Sequence, residues 1–368
     1  MKHPLAPVAA VDGQLDLSLD LVRDLIDHTG DGKTNTIELF DALLTYSPEH
    51  ARNGSAFIEV EKRFRNRCYN VKISPAVMKK GGKPCLILPS RRENLVEKAL
   101  RKIAADDANA LSVKLTDKGE TEVWVLFTIH QLRTILEEQG HGYKTAELTE
   151  ALSVLTGAKM TISGETQDEI GGIEGSGIID KLVWRKKKVG DEDGRSFHVS
   201  AKFHPLVTRS LVQRTFRRID FAKLMRPKNE LARWLYSRMS HNYIQADITD
   251  LAQFQMGEKN HGYSLTLGTI IRETGMKFSD NKLAVRAVRV ALRILREHDI
   301  TRGRTWSGDD FPGYLEEITF TRTRGRPGLQ DVLWRIFPSD AVIQDIIDAN
   351  KAHKAMNVKL ASHRRATF

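Results

Sequence analysis

The chain has 368 residues, enough for two or three domains with a sizeable buried interior. Hydrophobic residues at 40% and charged residues at 28% fit a globular protein, and aromatics at 7% argue against single-strand binding by base stacking. No apolar run reaches the about 18 residues a membrane span needs, and the start lacks the basic then apolar pattern of a signal peptide, so a cytoplasmic protein with no membrane partner is expected.

There are 57 Lys+Arg against 47 Asp+Glu, a net +10 that is unevenly placed. Residues 1–50 hold nine acids and three bases, a local −6 that leaves +16 for the remainder. A basic body with an acidic end suggests a polyanionic partner; the alternative is a charged face that serves only solubility. Within residues 1–55, helical spacing covers Leu15–His28 and Ile37–Tyr46, with Thr36 as a candidate N-cap. The segment is expected to be an acidic helical arm and linker that contacts a protein, or else to pack on its own domain. Asp27–Glu38 has the acid and glycine spacing of a calcium loop, but Thr29 and Thr34 break the pattern, and Asp27 stands where a phosphate-binding loop ending Gly32-Lys33-Thr34 needs glycine.

Residues 56–205 read as a first unit. Strands are expected within 57–73 and 85–88 around Gly81-Gly82, then an amphipathic helix over Arg92–Ala105. Leu111–Leu115 and Glu122–Phe127 form a hairpin, helices Thr128–Glu138 and Lys144–Thr156 follow, and strands Lys159–Ser163, Ile178–Lys187 and Ser196–Phe203 close the unit. Helix, hairpin, two helices and a long hairpin are the outline of a winged helix. Arg63, Arg65, Arg67, Lys72, Lys79, Lys80 and Lys83 form a basic strand region that either touches a backbone of phosphates or guards a sheet edge. Arg185, Lys186, Lys187 and Lys188 would give a basic wing, and Lys144 opens a helix whose outward Glu147 and Glu150 suit DNA poorly.

Residues 206–351 repeat the outline after a linker at 206–228. Helices are expected at Asn229–His241, Ile248–Phe254, Leu265–Thr274 ended by Gly275, and Asn281–His298 capped by Ser279 or Asp280. Strands Ile318–Thr323 and Val332–Phe337 join at residues 324–328, a helix spans Asp340–Lys351, and 352–368 is a basic tail. The fold class expected is α+β, two tandem winged-helix domains with an N-terminal helical extension. On the helix at 281–298, Ala284, Val288, Ala291 and Leu295 share one stripe, while Lys282, Arg286, Arg289, Arg293 and Arg296 share the opposite one within about 80° of arc. Cations crowded in this way repel one another unless phosphates or guanine edges neutralise them, and Arg suits bidentate contact with guanine. Arg289 and Arg293 are expected to carry base reading. Arg322, Arg324 and Arg326 at the second wing's tip, with Arg302 and Arg304 nearby, suit a minor-groove or backbone contact. The tripeptide His141-Gly142-Tyr143 recurs as His261-Gly262-Tyr263, which is taken as coincidence because different elements follow.

Catalysis finds no support: no His-x-His pair stands near a tyrosine as a nicking enzyme needs, and Cys68 and Cys85 form no zinc pattern. A non-enzymatic protein without metal or cofactor is expected.

The stretch Phe203–Ala246, with Leu231-Ala232-Arg233-Trp234-Leu235-Tyr236-Ser237-Arg238-Met239-Ser240-His241-Asn242-Tyr243 at its centre, resembles the RepA-type plasmid replication initiators. Thr36–Leu43 resembles that family's early segment, and a looser likeness runs over about 36–340. The resemblance implies binding of double-stranded DNA at direct repeats (iterons) of an origin, local duplex opening, and recruitment of the host initiator DnaA and the replicative helicase. It also implies a homodimer that represses its own promoter and takes part in copy control. The competing readings are a winged-helix regulator at an operator, an origin nickase and a structural adaptor.

Overall fold

The computed structural model describes residues 32–37, 40–41, 57–64, 67–107, 110–117, 119–164, 173–185, 198–212, 216–242, 262–276, 278–304, 308–323, 326–351 and 354. The helix expected at Leu15–His28, the short one at 248–254, Lys186–Lys188, Arg324 and nearly all of the basic tail lie outside them.

In chain order, β1 (Lys33–Thr36) precedes β2 (Ile58–Phe64), β3 (Arg67–Ser74) and the hairpin β4 (Ala76–Lys80) and β5 (Lys83–Ile87). Gly81 and Gly82 both take positive φ, 57° and 80°, as a tight two-residue hairpin turn requires. Helix α1 (Arg91–Asp106) starts at Ser90, whose N–H and hydroxyl donate to Glu93 at 2.9 and 2.6 Å. β6 (Leu111–Leu115), β7 (Thr121–Thr128), α2 (Ile129–Glu138), α3 (Thr145–Gly157), β8 (Lys159–Gly164), β9 (Ile173–Gly177), β10 (Ile179–Arg185) and β11 (His198–Phe203) follow. The chain then runs through α4 (Pro205–Val212), β12 (Arg217–Asp220), α5 (Phe221–Met225) and α6 (Glu230–Asn242). It ends with β13 (Tyr263–Thr266), α7 (Leu267–Thr274), α8 (Asn281–Glu297), β14 (Tyr314–Thr323), β15 (Arg326–Ile336) and a helix, α9, at 340–351.

One plan occurs twice. β7 runs into α2, α3 follows after six residues, and β11 pairs with both β7 and β10 in the order β10-β11-β7-β6. β13 runs into α7, α8 follows after six residues, and β15 pairs with both β13 and β14 in the order β13-β15-β14. The local chemistry repeats too. Thr128 caps α2 by accepting from Gln131 N at 3.0 Å, and Thr266 caps α7 by accepting from Thr269 N at 3.2 Å. Gly140 (φ 79°) and Gly275 (φ 67°) then turn the chain toward the next helix. The His-Gly-Tyr match is out of this register: 141–143 precede α3, whereas Gly262 precedes β13 and Tyr263 opens it. The first unit carries an added sheet, β2-β3-β8-β9, of which β8 and β9 lie between α3 and β10 while β2 and β3 precede α1.

Two apolar clusters form the interior. The first runs from Ile37 and Phe40 through α1, α3 and β11 to Phe216, Phe221 and Met225. The second runs from Ile219 and Leu224 through α6, α8 and Trp334 to Ile347. Residues 206–228 are therefore no linker: Leu206, Leu211, Phe216 and Phe221 fill the first core, and the two cores meet near residue 220 rather than 205.

The acidic segment is also not wholly an arm. β1 pairs antiparallel with β12, Ile37 and Phe40 are buried, and Asp41 is clamped by Arg101 at 2.6 and 3.1 Å. Thr36 ends a strand and donates its hydroxyl to Arg217 O at 3.1 Å, so it is not the expected N-cap; the Asp41 carboxylate instead accepts from Ile37 N at 2.9 Å. Only residues 40–41 of the helix expected at Ile37–Tyr46 are described as helical, and 42–46 lie outside the described residues. The β1–β12 pair makes a seam between the cores. On one side Lys102 donates to Lys33 O at 3.0 Å; on the other Arg217 donates to Asn350 Oδ1 and Lys223 to Asp345, both at 2.7 Å.

Two histidines lie at this junction. His204 accepts from Leu206 N at 3.1 Å and packs 5.3 Å from the Phe40 ring; burial holds its pKa down to about 3, and burial likewise holds His241 down to about 4. Both stay neutral in the folded protein but take a proton near pH 6.5 when unfolded. Their stabilising effect is therefore complete above about pH 6.5 and is lost as pH falls toward 4 for His241 and toward 3 for His204, by about 2 kcal/mol each at pH 5. Urea midpoints measured from pH 7.5 to 5 should fall accordingly, and the slope should flatten in a His204→Leu, His241→Gln variant.

Candidate nucleic-acid interface

Helix α8 owes its start to Asp280, whose carboxylate accepts from Leu283 N at 2.8 Å, and it packs Ala284, Val288, Ala291, Leu292 and Leu295 into the second core. That orientation fixes the opposite face. Lys282, Arg286, Arg289 and Arg293 are exposed and Arg296 is half-buried. The five cations are not left to repel one another, because three of them have acidic partners. Arg289 is paired with Glu316 of β14, its Nε 2.9 Å from Oε2, and the same carboxylate accepts from Trp334 Nε1 at 2.9 Å. The Arg289 hydrogen bond holds the Glu316 carboxyl below its usual range, with the Trp334 bond acting in the same direction. Arg296 is paired with Asp310, and Arg293 lies 3.7 Å from Glu297 on the next turn. Lys282 and Arg286, toward the N-terminal end, have no acidic partner among the described residues.

Arg289 is thus a strut between helix and hairpin rather than an open base reader. Glu316 could have been suspected from strand alternation: it sits directly across from the buried Trp334 and so faces inward, where an unpaired carboxylate is costly. The hairpin is anchored a second time at the start of α7, where Gly268 N donates to Asp331 Oδ1 at 3.2 Å.

The remaining candidates are spread out. The register places Arg322 opposite Pro327 and Thr323 opposite Arg326 at the closed end of the β14–β15 hairpin, with Arg324 between them outside the described residues. Arg302 donates to Asp340 at 2.6 Å, Arg304 is exposed, and the two line an open cleft beside Ser339 at the start of α9. Arg185 ends β10, next to Trp184, which is 42% exposed.

In the first unit, the helix equivalent to α8 is α3, and Lys144 stands exposed at its start. Its two acids have local tasks. Glu147 accepts from Lys144 N at 2.7 Å, closing the helix start, and Glu150 lies 3.4 Å from Arg92 of α1. The turn before α3 is held by His141, whose Nε2 lies 2.8 Å from Met225 O. The outward stripe of α3 is made of hydroxyls: Thr149 donates to Thr145 O, Ser153 to Thr149 O and Thr156 to Leu152 O.

Among the described residues, no group of three or more His, Cys, Asp or Glu side chains is placed to hold a metal ion, and no helix is long and apolar enough to cross a membrane. No family model and no curated protein sequence matches the chain. Among solved structures, a crystal structure of domains 2 and 3 of RctB is similar at TM-score 0.43 and 11% identity, covering 84% of this chain and 98% of that one. A second structure of the same two domains gives TM-score 0.43 and 10% identity, covering 79% and 94%.

Proposed function

We propose that this protein binds double-stranded DNA through two winged-helix units and acts as a replication initiator of the plasmid type, loading on direct repeats at an origin. The observation that carries the reading is the doubled strand–helix–helix–hairpin plan, with Lys282 and Arg286 held outward on the N-terminal half of α8. In such units the second helix of the pair enters the major groove and its N-terminal residues reach base edges, while the hairpin lies along the backbone. Arg286 takes the base-reading role, Lys282 and the Arg322–Arg326 tip hold phosphates, and Arg289 keeps helix and hairpin at a fixed angle. The initiator role rests on the resemblance of the Phe203–Ala246 stretch, whose described residues between Pro205 and Asn242 form α4, β12, α5 and α6 and contribute to both cores. Opening of the duplex, the host initiator and helicase as partners, and a self-repressing homodimer belong to the same proposal.

The test is titration of labelled duplexes by fluorescence anisotropy: spaced direct repeats beside an AT-rich stretch, the same DNA scrambled, and an inverted repeat. Preferential loading of several protomers on the direct repeats is expected, and supercoiled repeat DNA incubated with the protein and Mg²⁺ should stay un-nicked. A single dimer on the inverted repeat would point to an operator-binding regulator instead, and a covalent DNA adduct would overturn the non-enzymatic reading.

A further inference from the structure

The hairpin β4–β5 forms a two-stranded sheet of its own, joined to neither four-stranded sheet of the first unit. Register fixes its two faces. Ala76 opposite Ile87 and Met78 opposite Cys85 point inward, with Ala76 in the first core and Met78 and Ile87 packed against it. Ala76 lies so close to the end of α3 that a Cβ on Gly157 would come within 2.9 Å of its side chain. The ribbon is thus fixed to the helix that corresponds to α8. Its other face carries Val77 directly opposite Leu86, 68% and 60% exposed, followed by exposed Lys79 opposite exposed Pro84.

An exposed strand pair with apolar side chains invites association, so something of defined chemistry is expected to cover it. Charge selects the occupant. Residues 72–92 hold six cations and no acid, of which Arg92 is paired with Glu93 and Glu150; on the ribbon Lys79 is exposed beside the apolar pair, and Lys83 is exposed next to the turn, opposite Lys80 on the other face. A second copy of the same ribbon would bring like charges together, whereas DNA offers phosphates for the lysines and sugar and base surfaces for the apolar pair. Apolar side chains pressed between base steps from the minor groove unstack them and bend the duplex, with flanking cations on the phosphates.

We propose that the β4–β5 ribbon is a DNA-bending element: Lys79 and Lys83 grip the backbone and the Val77–Leu86 pair presses against a base step in the minor groove. The proposal rests on the DNA-binding reading above and adds to it a source of duplex distortion separate from α8.

The experiment uses the full chain and a repeat duplex labelled at both ends, reading affinity by anisotropy and bending by energy transfer. Val77→Ser with Leu86→Ser should keep affinity within about threefold while most of the bend disappears. Lys79→Ala with Lys83→Ala should weaken binding about tenfold and lower the slope of log affinity against log salt by about 2. All four side chains are on the surface, and unchanged melting temperatures establish that the variants are folded. If wild-type protein binds and bends DNA and the variants do the same, the ribbon proposal is overturned alone. It is also overturned if the apolar variant changes sedimentation instead of bending, since a second copy would then cover the patch. A wild-type protein that binds no duplex overturns the DNA-binding reading and the ribbon proposal with it.

Discussion

Arg286→Ala should weaken binding to the correct repeat by about 1–3 kcal/mol, tenfold or more, and change binding to scrambled duplex little. The expectation follows from position: Arg286 is exposed on the N-terminal half of α8 with no acidic partner among the described residues. Lys282→Ala should weaken both DNAs alike and reduce the salt slope by about 1, as a phosphate contact does. Arg289→Ala is expected to act indirectly, by releasing Glu316 and loosening the hairpin, so its effect should be accompanied by a lower melting temperature. Competition titrations on both duplexes at two salt concentrations separate these cases. Equal losses on repeat and scrambled DNA for Arg286→Ala would make it a phosphate clamp and remove α8 as the base reader.

Asp41→Ala should destabilise the fold by about 3–5 kcal/mol. Arg101 is nearly fully buried and is paired with both Asp41 and Glu97, with Lys98 3.8 Å from Asp41. The Asp41 carboxyl is held far below its usual range by the Arg101 and Lys98 charges, which overcome the opposing effect of burial. Its removal leaves two buried cations facing one carboxylate, Glu97, which burial pushes up and so toward its neutral form. Deletion of residues 1–50 removes this partner, the Phe40 side chain and β1 together, and the truncated chain is expected to lose cooperative unfolding. Denaturant titration followed by far-ultraviolet circular dichroism measures both. A truncated protein that melts within a few degrees of the full chain would show that residues 33–41 only decorate the surface.

Much of the second unit was legible because its signals are local. The apolar stripe of α8, the aspartate cap at 280 and the left-handed Gly275 act within a few residues of one another. The hairpin Leu111–Leu115 with β7, and helices α2 and α3, were legible for the same reason. What stayed hidden depends on distant pairing. Strand β9 is a glycine-rich run, Ile-Glu-Gly-Ser-Gly, that becomes a strand only because β8 lies beside it. β1 is Lys-Thr-Asn-Thr, polar throughout and buried because β12 pairs with it and α1 covers it. The arginine stripe of α8 read as five equivalent cations because nothing in its own sequence shows that Glu316 and Asp310 fold back onto it. Within 57–88 the residues suggested strands, but only the pairing shows that β4–β5 stands apart from the sheet containing β2 and β3.

The seam between the cores also dictates an order of events during synthesis. Thr36 bonds to the backbone of Arg217, 181 positions later, so β1 has no partner until about half as many residues as the 368 of this chain have followed it. Closing so large a loop is entropically slow, and local helices and hairpins can form well before it. Phe40, which packs against His204, waits for its cover in the same way, and that interval is expected to be the one in which a nascent chain of this protein is most open to aggregation.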